Sequence, residues 1–288
     1  MRTGSVTISA WLMLFLILAS SSGCQLAERV RQDRERVEKE FDSPDRPQIT
    51  EPELPFGNPS NASADAANAD NLLVMRDGYT LSYNNSRGTL NWIAWRTTAA
   101  DLGARRERSL FRADESLPRG IRKIQYYDYS GSGYDRGHMV PAADRFGNGQ
   151  QMDATFLMTN IVPQTGDLNQ FPWNKFESYV RGIVRKGNEV YTIAGVYGEN
   201  GRLRSKVTIP TNCWKVVVVL RRGETSITAR TQVIAVDMPN VDGIKGVNWE
   251  MYKTTVRSIE SKTGLDLFSV LPRDIQDVIE TKQMMLSR

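Results

Sequence analysis

Tyr134-Asp135-Arg136-Gly137-His138-Met139-Val140-Pro141-Ala142-Ala143-Asp144 is the stretch on which the reading of this chain turns. His138 is the only histidine in 288 residues, so no site can be assembled from two or three imidazoles, and two cysteines cannot make a disulfide framework. Any metal must therefore be held mainly by oxygen. A lone histidine is by default a structural residue. Here it is flanked by an acid, an arginine and a glycine that lets the backbone approach a ligand, and it follows a Ser130-Gly131-Ser132-Gly133 loop. Eight basic residues lie between Arg105 and Arg136. With an ordinary pKa near 6.5, the neutral ring is available to take a proton at neutral pH. Asp135 is a weak candidate for orienting it, because adjacent positions on a strand point to opposite faces.

A second block lies some twenty residues downstream: Asn160-Ile161-Val162-Pro163-Gln164, then Asp167-Leu168-Asn169-Gln170, then Trp173, Glu177 and Arg181 at steps of four. Pro172 suits the first turn of a helix, and the periodicity predicts one over 171–186, ended by Gly187-Asn188. Asn169 then stands at the helix entrance, with Glu177 on the same face. Taken alone, Glu177 and Arg181 would read as an ordinary i,i+4 surface pair.

The Asp-Arg-Gly-His string and the Asn160–Arg181 block, in that order, resemble the DNA/RNA non-specific endonucleases. A looser likeness covers Asn91–Trp95, Arg108–Asp114 and Ser258–Pro272, so the resemblance spans about 72–275. It implies a ββα-metal, or His-Me finger, site in which His138 is the general base and Asn169 holds Mg2+ directly, with Mn2+ as a substitute. Glu177 would hold a water of the ion's shell and is counted as both catalytic and metal-binding. Arg136 and Arg108 are the expected catalytic arginines, and Arg136, Arg181 and Gln164 the expected substrate-binding residues, Gln164 by positioning the metal-site loop. Arg106 competes with Arg108 for the phosphate, because the family spacing is not reproduced cleanly here. The products would carry 5′-phosphate and 3′-hydroxyl ends. Tyr126, Tyr127, Tyr129 and Tyr134 are read either as base-stacking platforms or as packing for their loop.

Further outward, short apolar or alternating runs predict strands at 72–83 with an Asp77-Gly78 turn, and at 90–97, 155–162, 189–196, 205–210, 213–221 and 226–236. A second helix is predicted over about 249–263, ended by Gly264. The expected fold is α+β: a mixed, largely antiparallel central sheet with packed helices and the ββα-metal motif. Cys213, in the run Cys-Trp-Lys-Val-Val-Val-Val-Leu, is read as a core residue.

The N-terminus reads as an address. Arg2, the apolar run Ala10–Ala19 and the small residues before Cys24 predict a signal peptide over 1–23, and Gly23-Cys24 resembles a lipoprotein cleavage site with Cys24 as the lipid anchor. Residues 24–70, with 6 basic and 11 acidic side chains, are expected to be a charged, low-complexity tether. The nuclease domain is expected over 71–288, where 30 basic against 22 acidic residues favour a polyanionic partner. The expected partners are DNA and/or RNA and, through the lipid, a membrane. No protein partner is legible, and homodimerisation stays open. The expected location is the bacterial cell envelope, periplasmic or outer-membrane, or the exterior. The rival reading is a catalytically inactive, envelope-anchored nucleic-acid-binding lipoprotein on the same fold. A serine hydrolase using His138 lacks a Gly-x-Ser-x-Gly elbow.

Overall fold

The computed structural model describes residues 28, 31, 32, 54–224 and 226–283. Among the first of these, Glu28 and Arg31 form an exposed i,i+3 ion pair at 2.9 Å. Cys24 and the apolar run before it lie outside the described residues.

Seven antiparallel strands form the central sheet. They are β1 (Leu72–Arg76), β2 (Tyr79–Asn84), β3 (Thr89–Thr97), then, after two short strands described below, β6 (Glu189–Tyr197), β9 (Asn212–Leu220), β10 (Gln232–Pro239) and β11 (Lys253–Thr254). They lie in the order β1-β2-β3-β6-β9-β10-β11. The β1–β2 hairpin turns at Asp77-Gly78, where Gly78 takes φ +84°, a conformation that costs a side-chain-bearing residue. A period of two splits each long strand between two cores. On β9, Trp214, Val216, Val218 and Leu220 face one side, and Cys213, Val217 and Val219 the other.

The side carrying Trp214 is covered by α3 (Val256–Thr263) and α4 (Arg273–Ile279), with Ile259, Phe268 and Ile275 against the strands. The opposite side carries the second layer. There β4 (Asp135–His138) pairs antiparallel with β5 (Ile161–Gln164), matching His138 to Ile161 and Asp135 to Gln164. The helix α2 (Asn174–Arg185) follows, burying Phe176, Val180 and Val184 against the sheet; a shorter helix, α1 (Gly149–Ala154), lies between β4 and β5. A small β7 (Arg202–Leu203) and β8 (Val207–Thr208) hairpin completes the elements.

Five expected elements are corrected. Residues 155–160 are not strand: the Asn160 side chain accepts from the Val140 N–H and donates to the Val140 and Thr155 carbonyls, so local turn bonding replaces a ladder until Ile161. The expected 205–210 strand shrinks to β8, and the 226–236 strand begins only at Gln232, after a turn closed by Thr231 to Thr228. The expected 249–263 helix is three pieces: a 3-10 turn Trp249–Tyr252, then β11 captured by β10, then α3, whose first turn is capped by the Thr255 hydroxyl accepting from the Ser258 N–H. The 171–186 helix starts at Asn174, behind a wide π-type turn Asn169–Trp173 that holds Pro172, which has no N–H to give to a tighter one.

The expected tether boundary at 71 is corrected as well. Phe56 is buried in edge-to-face contact with Tyr191 and Phe268, and the Asp266 and Leu73 N–H groups donate to Pro59 and Ser63 carbonyls. The apolar anchors are too sparse in 54–70 to show a period, yet they fasten the segment to the far side of the sheet.

Candidate active site

The β4–β5 ribbon and the start of α2 enclose an open cleft of about 430 Å³, walled by Arg105, Arg106, Arg108, Arg136, His138, Asn169, Glu177 and Arg181 among others. Two sequence blocks some twenty residues apart thus meet at one place.

His138 ends β4 with its ring against Phe156, edge to face at 4.9 Å, and Phe111 at 5.3 Å. Its Nε2 is sealed from solvent without a hydrogen-bond partner among the described residues. Burial, reinforced by the positive charges of Arg108 and Lys215, brings the imidazole pKa down to about 3, so the ring is neutral well below neutral pH. Gly137 has a reason other than ligand approach: a Cβ there would collide with the side chain of Gln164, which is fully buried directly behind it. Gln164 therefore does not line the cleft, a correction to its expected place among the substrate-binding residues. The loop after β5 is fastened instead by Asn240, whose amide oxygen accepts from the Thr165 N–H and whose amide nitrogen donates to the Pro163 and Pro210 carbonyls. Asn240 lies 75 residues from Thr165, and nothing in the local pattern marks it.

Asp135 faces Asn169 rather than His138. Its Oδ2 accepts from Asn169 Nδ2 at 2.9 Å and from Gln170 Nε2 at 2.9 Å. A carboxylate can only accept, so this bond fixes the Asn169 amide and leaves its Oδ1 as a free donor of lone pairs. Glu177 joins Asn169 on the cleft wall, with Oε1 accepting from Lys215 Nζ at 2.6 Å. Burial raises the Glu177 carboxyl and lowers the Lys215 ammonium, each opposed by the charge of the other.

The arginines divide into two kinds. Arg105, Arg106 and Arg108 are exposed on the rim; Arg106 Nε donates to the Phe146 carbonyl, and Arg108 lies over the Phe156 ring at 5.7 Å. Both competitors for the phosphate thus face the same cleft, joined by Arg105, which sequence reasoning did not single out. Arg136 donates through Nε and Nη2 to the Tyr126 carbonyl and sits over Phe111 and Tyr129, so its head is fixed. Arg181 departs from the expected free phosphate grip. It is buried, with Nη1 donating to Asp144 Oδ1 at 3.1 Å and Nη2 to Ser178. Tyr129 and Tyr134 pack the loop, as one reading of the tyrosines has it, while Tyr126 and Tyr127 are exposed and in edge contact at 5.5 Å. Cys213 is buried, its thiol pushed up to about 12 by burial, as a core residue should be.

The donor set left for a metal is an amide oxygen and a carboxylate oxygen. Among the described residues no three His, Cys, Asp or Glu side chains converge. Hard oxygen donors in this number fit a cation such as Mg2+ that keeps several waters and takes the rest of its shell from a phosphate.

Comparison with known proteins agrees with this geometry. The profile of the DNA/RNA non-specific endonuclease family matches residues 58–274. A nuclease of Nostoc sp. (strain PCC 7120) is 45% identical over 233 residues, covering 80% of this chain and 85% of the relative. Mitochondrial endonuclease G of Homo sapiens is 33% identical over 215 residues, covering 67% and 68%. In the solved complex of EndoG with its inhibitor EndoGI, one chain aligns at a TM-score of 0.65 and 24% identity, covering 80% of this chain and 95% of that one, which bears on the fold alone.

Proposed function

The chain belongs to the DNA/RNA non-specific endonuclease family, and on that premise we propose that it hydrolyses phosphodiester bonds with His138 as general base and Mg2+ held by Asn169, Mn2+ being the substitute. The observation that carries this is a neutral, sole histidine on one wall of an arginine-rimmed cleft whose facing wall offers one oriented amide oxygen and one carboxylate.

Arg105, Arg106 and Arg108 draw the phosphodiester in, because exposed guanidinium groups match phosphate oxygens in pairs of hydrogen bonds. Arg136, held by the Tyr126 carbonyl, keeps Nη1 for the same phosphate. His138 then takes a proton from water. Nε2 is sealed into the wall, so Nδ1 is the nitrogen that meets the water. The oxygen of that water bonds to phosphorus, the P–O3′ bond breaks, and the 3′ oxygen leaves to collect a proton from solvent. Asn169 through Oδ1 would hold the divalent ion and Glu177, through the oxygen not engaged by Lys215, a water of its shell; the ion's contribution would be to offset negative charge on the phosphate and the departing oxygen. Contacts of this kind address the backbone rather than base edges, so cleavage is sequence-independent on DNA and/or RNA.

The leader, with Arg2, Ala10–Ala19 and Gly23-Cys24, supports export and lipid attachment at Cys24, and palmitate labelling of a Cys24→Ser variant tests it. The activity is tested by plasmid nicking with Mg2+, with EDTA, and with His138→Ala. Loss of a general base should cost about 10²- to 10⁴-fold in turnover while nucleic-acid binding in EDTA persists. Binding by both proteins with nicking by neither would instead make this a binder.

A further inference from the structure

The strand β9 breaks its own rule at one position. On the face shared with Cys213, Val217 and Val219, the alternation calls for an apolar side chain at 215, and the residue is lysine, 2% exposed in the middle of a seven-stranded sheet. A buried cation is costly unless it is paired, and such violations of a local pattern gather where function requires them. The Lys215 ammonium lies 4.3 Å from the Trp173 ring centroid and 5.4 Å from that of Trp95, and its hydrogen bond goes to Glu177. The two indoles carry the arrangement outward. Trp173 Nε1 donates to the His138 carbonyl, and Trp95 Nε1 donates to Asp144, which also receives Arg181. These groups come from β3, β4 and the segment after it, the start of α2, and β9, and of the two carboxylates among them Glu177 is the one facing the cleft.

Resting on the reading of Asn169 and Glu177 as the metal site, we propose that Lys215 is a positioning residue for that site: it pins one oxygen of Glu177 from beneath and turns the other toward the ion, while its cage of Trp173 and Trp95 ties the carboxylate to the strand that carries His138. The geometry has this consequence because a carboxylate on a helix has free side-chain torsions, and one short ionic hydrogen bond to a group fixed in a sheet removes them. Supporting groups of this kind usually change metal affinity by 10- to 100-fold when removed.

The test compares wild type, Lys215→Met, Glu177→Gln and the double variant. Three quantities are read: the Mn2+ dissociation constant of the nucleic-acid-free protein by electron paramagnetic resonance, the half-saturating Mg2+ in plasmid nicking, and DNA binding in EDTA. Lys215→Met should weaken Mn2+ binding at least tenfold and raise the half-saturating Mg2+ in step. DNA binding in EDTA should stay within about twofold. In the Glu177→Gln background the Lys215→Met change should add nothing, because both variants remove the same ligand geometry. Unaltered Mn2+ affinity in folded Lys215→Met, or a second tenfold loss in the double variant, overturns the proposal. Should Lys215→Met not fold, since it leaves Glu177 buried without a partner, the electrically balanced double variant decides with Glu177→Gln as its reference: equal metal affinities support the proposal, and a further loss overturns it. Wild type that binds Mn2+ but does not nick would instead sink the nuclease reading, and an Asn169→Ala variant that binds Mn2+ as well as wild type does would sink the metal-site reading.

Discussion

The two faces of the central sheet are built from the same strands and do opposite things. The face under α3 and α4 is sealed with aromatic and aliphatic side chains, among them Trp92, Trp214, Val216, Ile259 and Phe268. The face under the β4–β5 ribbon and α2 is equally well buried, yet it carries Lys215, Glu177, Asp144 and Arg181 within its apolar surround. Burial alone therefore does not distinguish structure from function here. What distinguishes them is whether the buried groups obey the alternation that burial would choose. The apolar face holds the sheet together, and the charged face spends some of that stability on fixing side chains around a cleft.

The sharpest break of this comparison comes from truncating the sealed face. Phe268→Ala should cost about 3–5 kcal/mol in denaturant unfolding, while the turnover of the molecules that remain folded stays at the wild-type value. Turnover per folded molecule falling tenfold would show that the faces are not separable. Gly137→Ala addresses the other face, where the added methyl meets Gln164. We expect about 1–3 kcal/mol of destabilisation from overpacking and, unlike Phe268→Ala, a fall in turnover as well, because β4 carries both Asp135 and His138.

Smaller effects refine the picture within the cleft. Arg108→Ala should leave the melting temperature alone, weaken DNA binding in EDTA and lower the slope of log affinity against log salt by roughly 0.9, one phosphate contact. An unchanged slope would remove Arg108 from the phosphate path in favour of Arg105 and Arg106. The last prediction concerns protons. The folded ring is held at about 3 and an unfolded one titrates near 6.5. The unfolded chain therefore binds the extra proton between those values, so the stability gained by keeping His138 neutral is complete above pH 6.5 and drains away as pH falls toward 3. A His138→Phe variant should lose that slope. Because this is the only histidine, its ring resonance in proton NMR is unambiguous, and a midpoint near 6.5 in the folded protein would contradict the sealed ring.

Much of this architecture could be read from the chain. The alternation of β1, β2, β3, β6 and β9 is local and survives folding, because each of these strands is wide enough in the sheet for its two faces to show. The elements that differ were taken over by side-chain turn bonds or by a strand distant in the sequence. Asn160 reaches Val140 and Thr155, and Lys253-Thr254 is drawn out of a helical pattern by β10. In the site, His138, Asn169, Glu177 and Arg136, with the rim arginines Arg106 and Arg108, were legible as residue types at revealing spacings. Gln164 and Arg181 were legible too, but their surroundings were not, and one turns out to be packing behind Gly137 while the other is tied to Asp144.

The sequence by itself determined which chemistry is available: one imidazole, hard oxygen donors and a basic domain, with the two motif blocks in order. Only the tertiary structure decided how those groups are aimed. Asp135 meets Asn169 across 34 residues, and Lys215 meets Glu177 across 38. Contacts of that range depend on which strand lies beside which and on which face each residue points to, and local spacing holds no record of either.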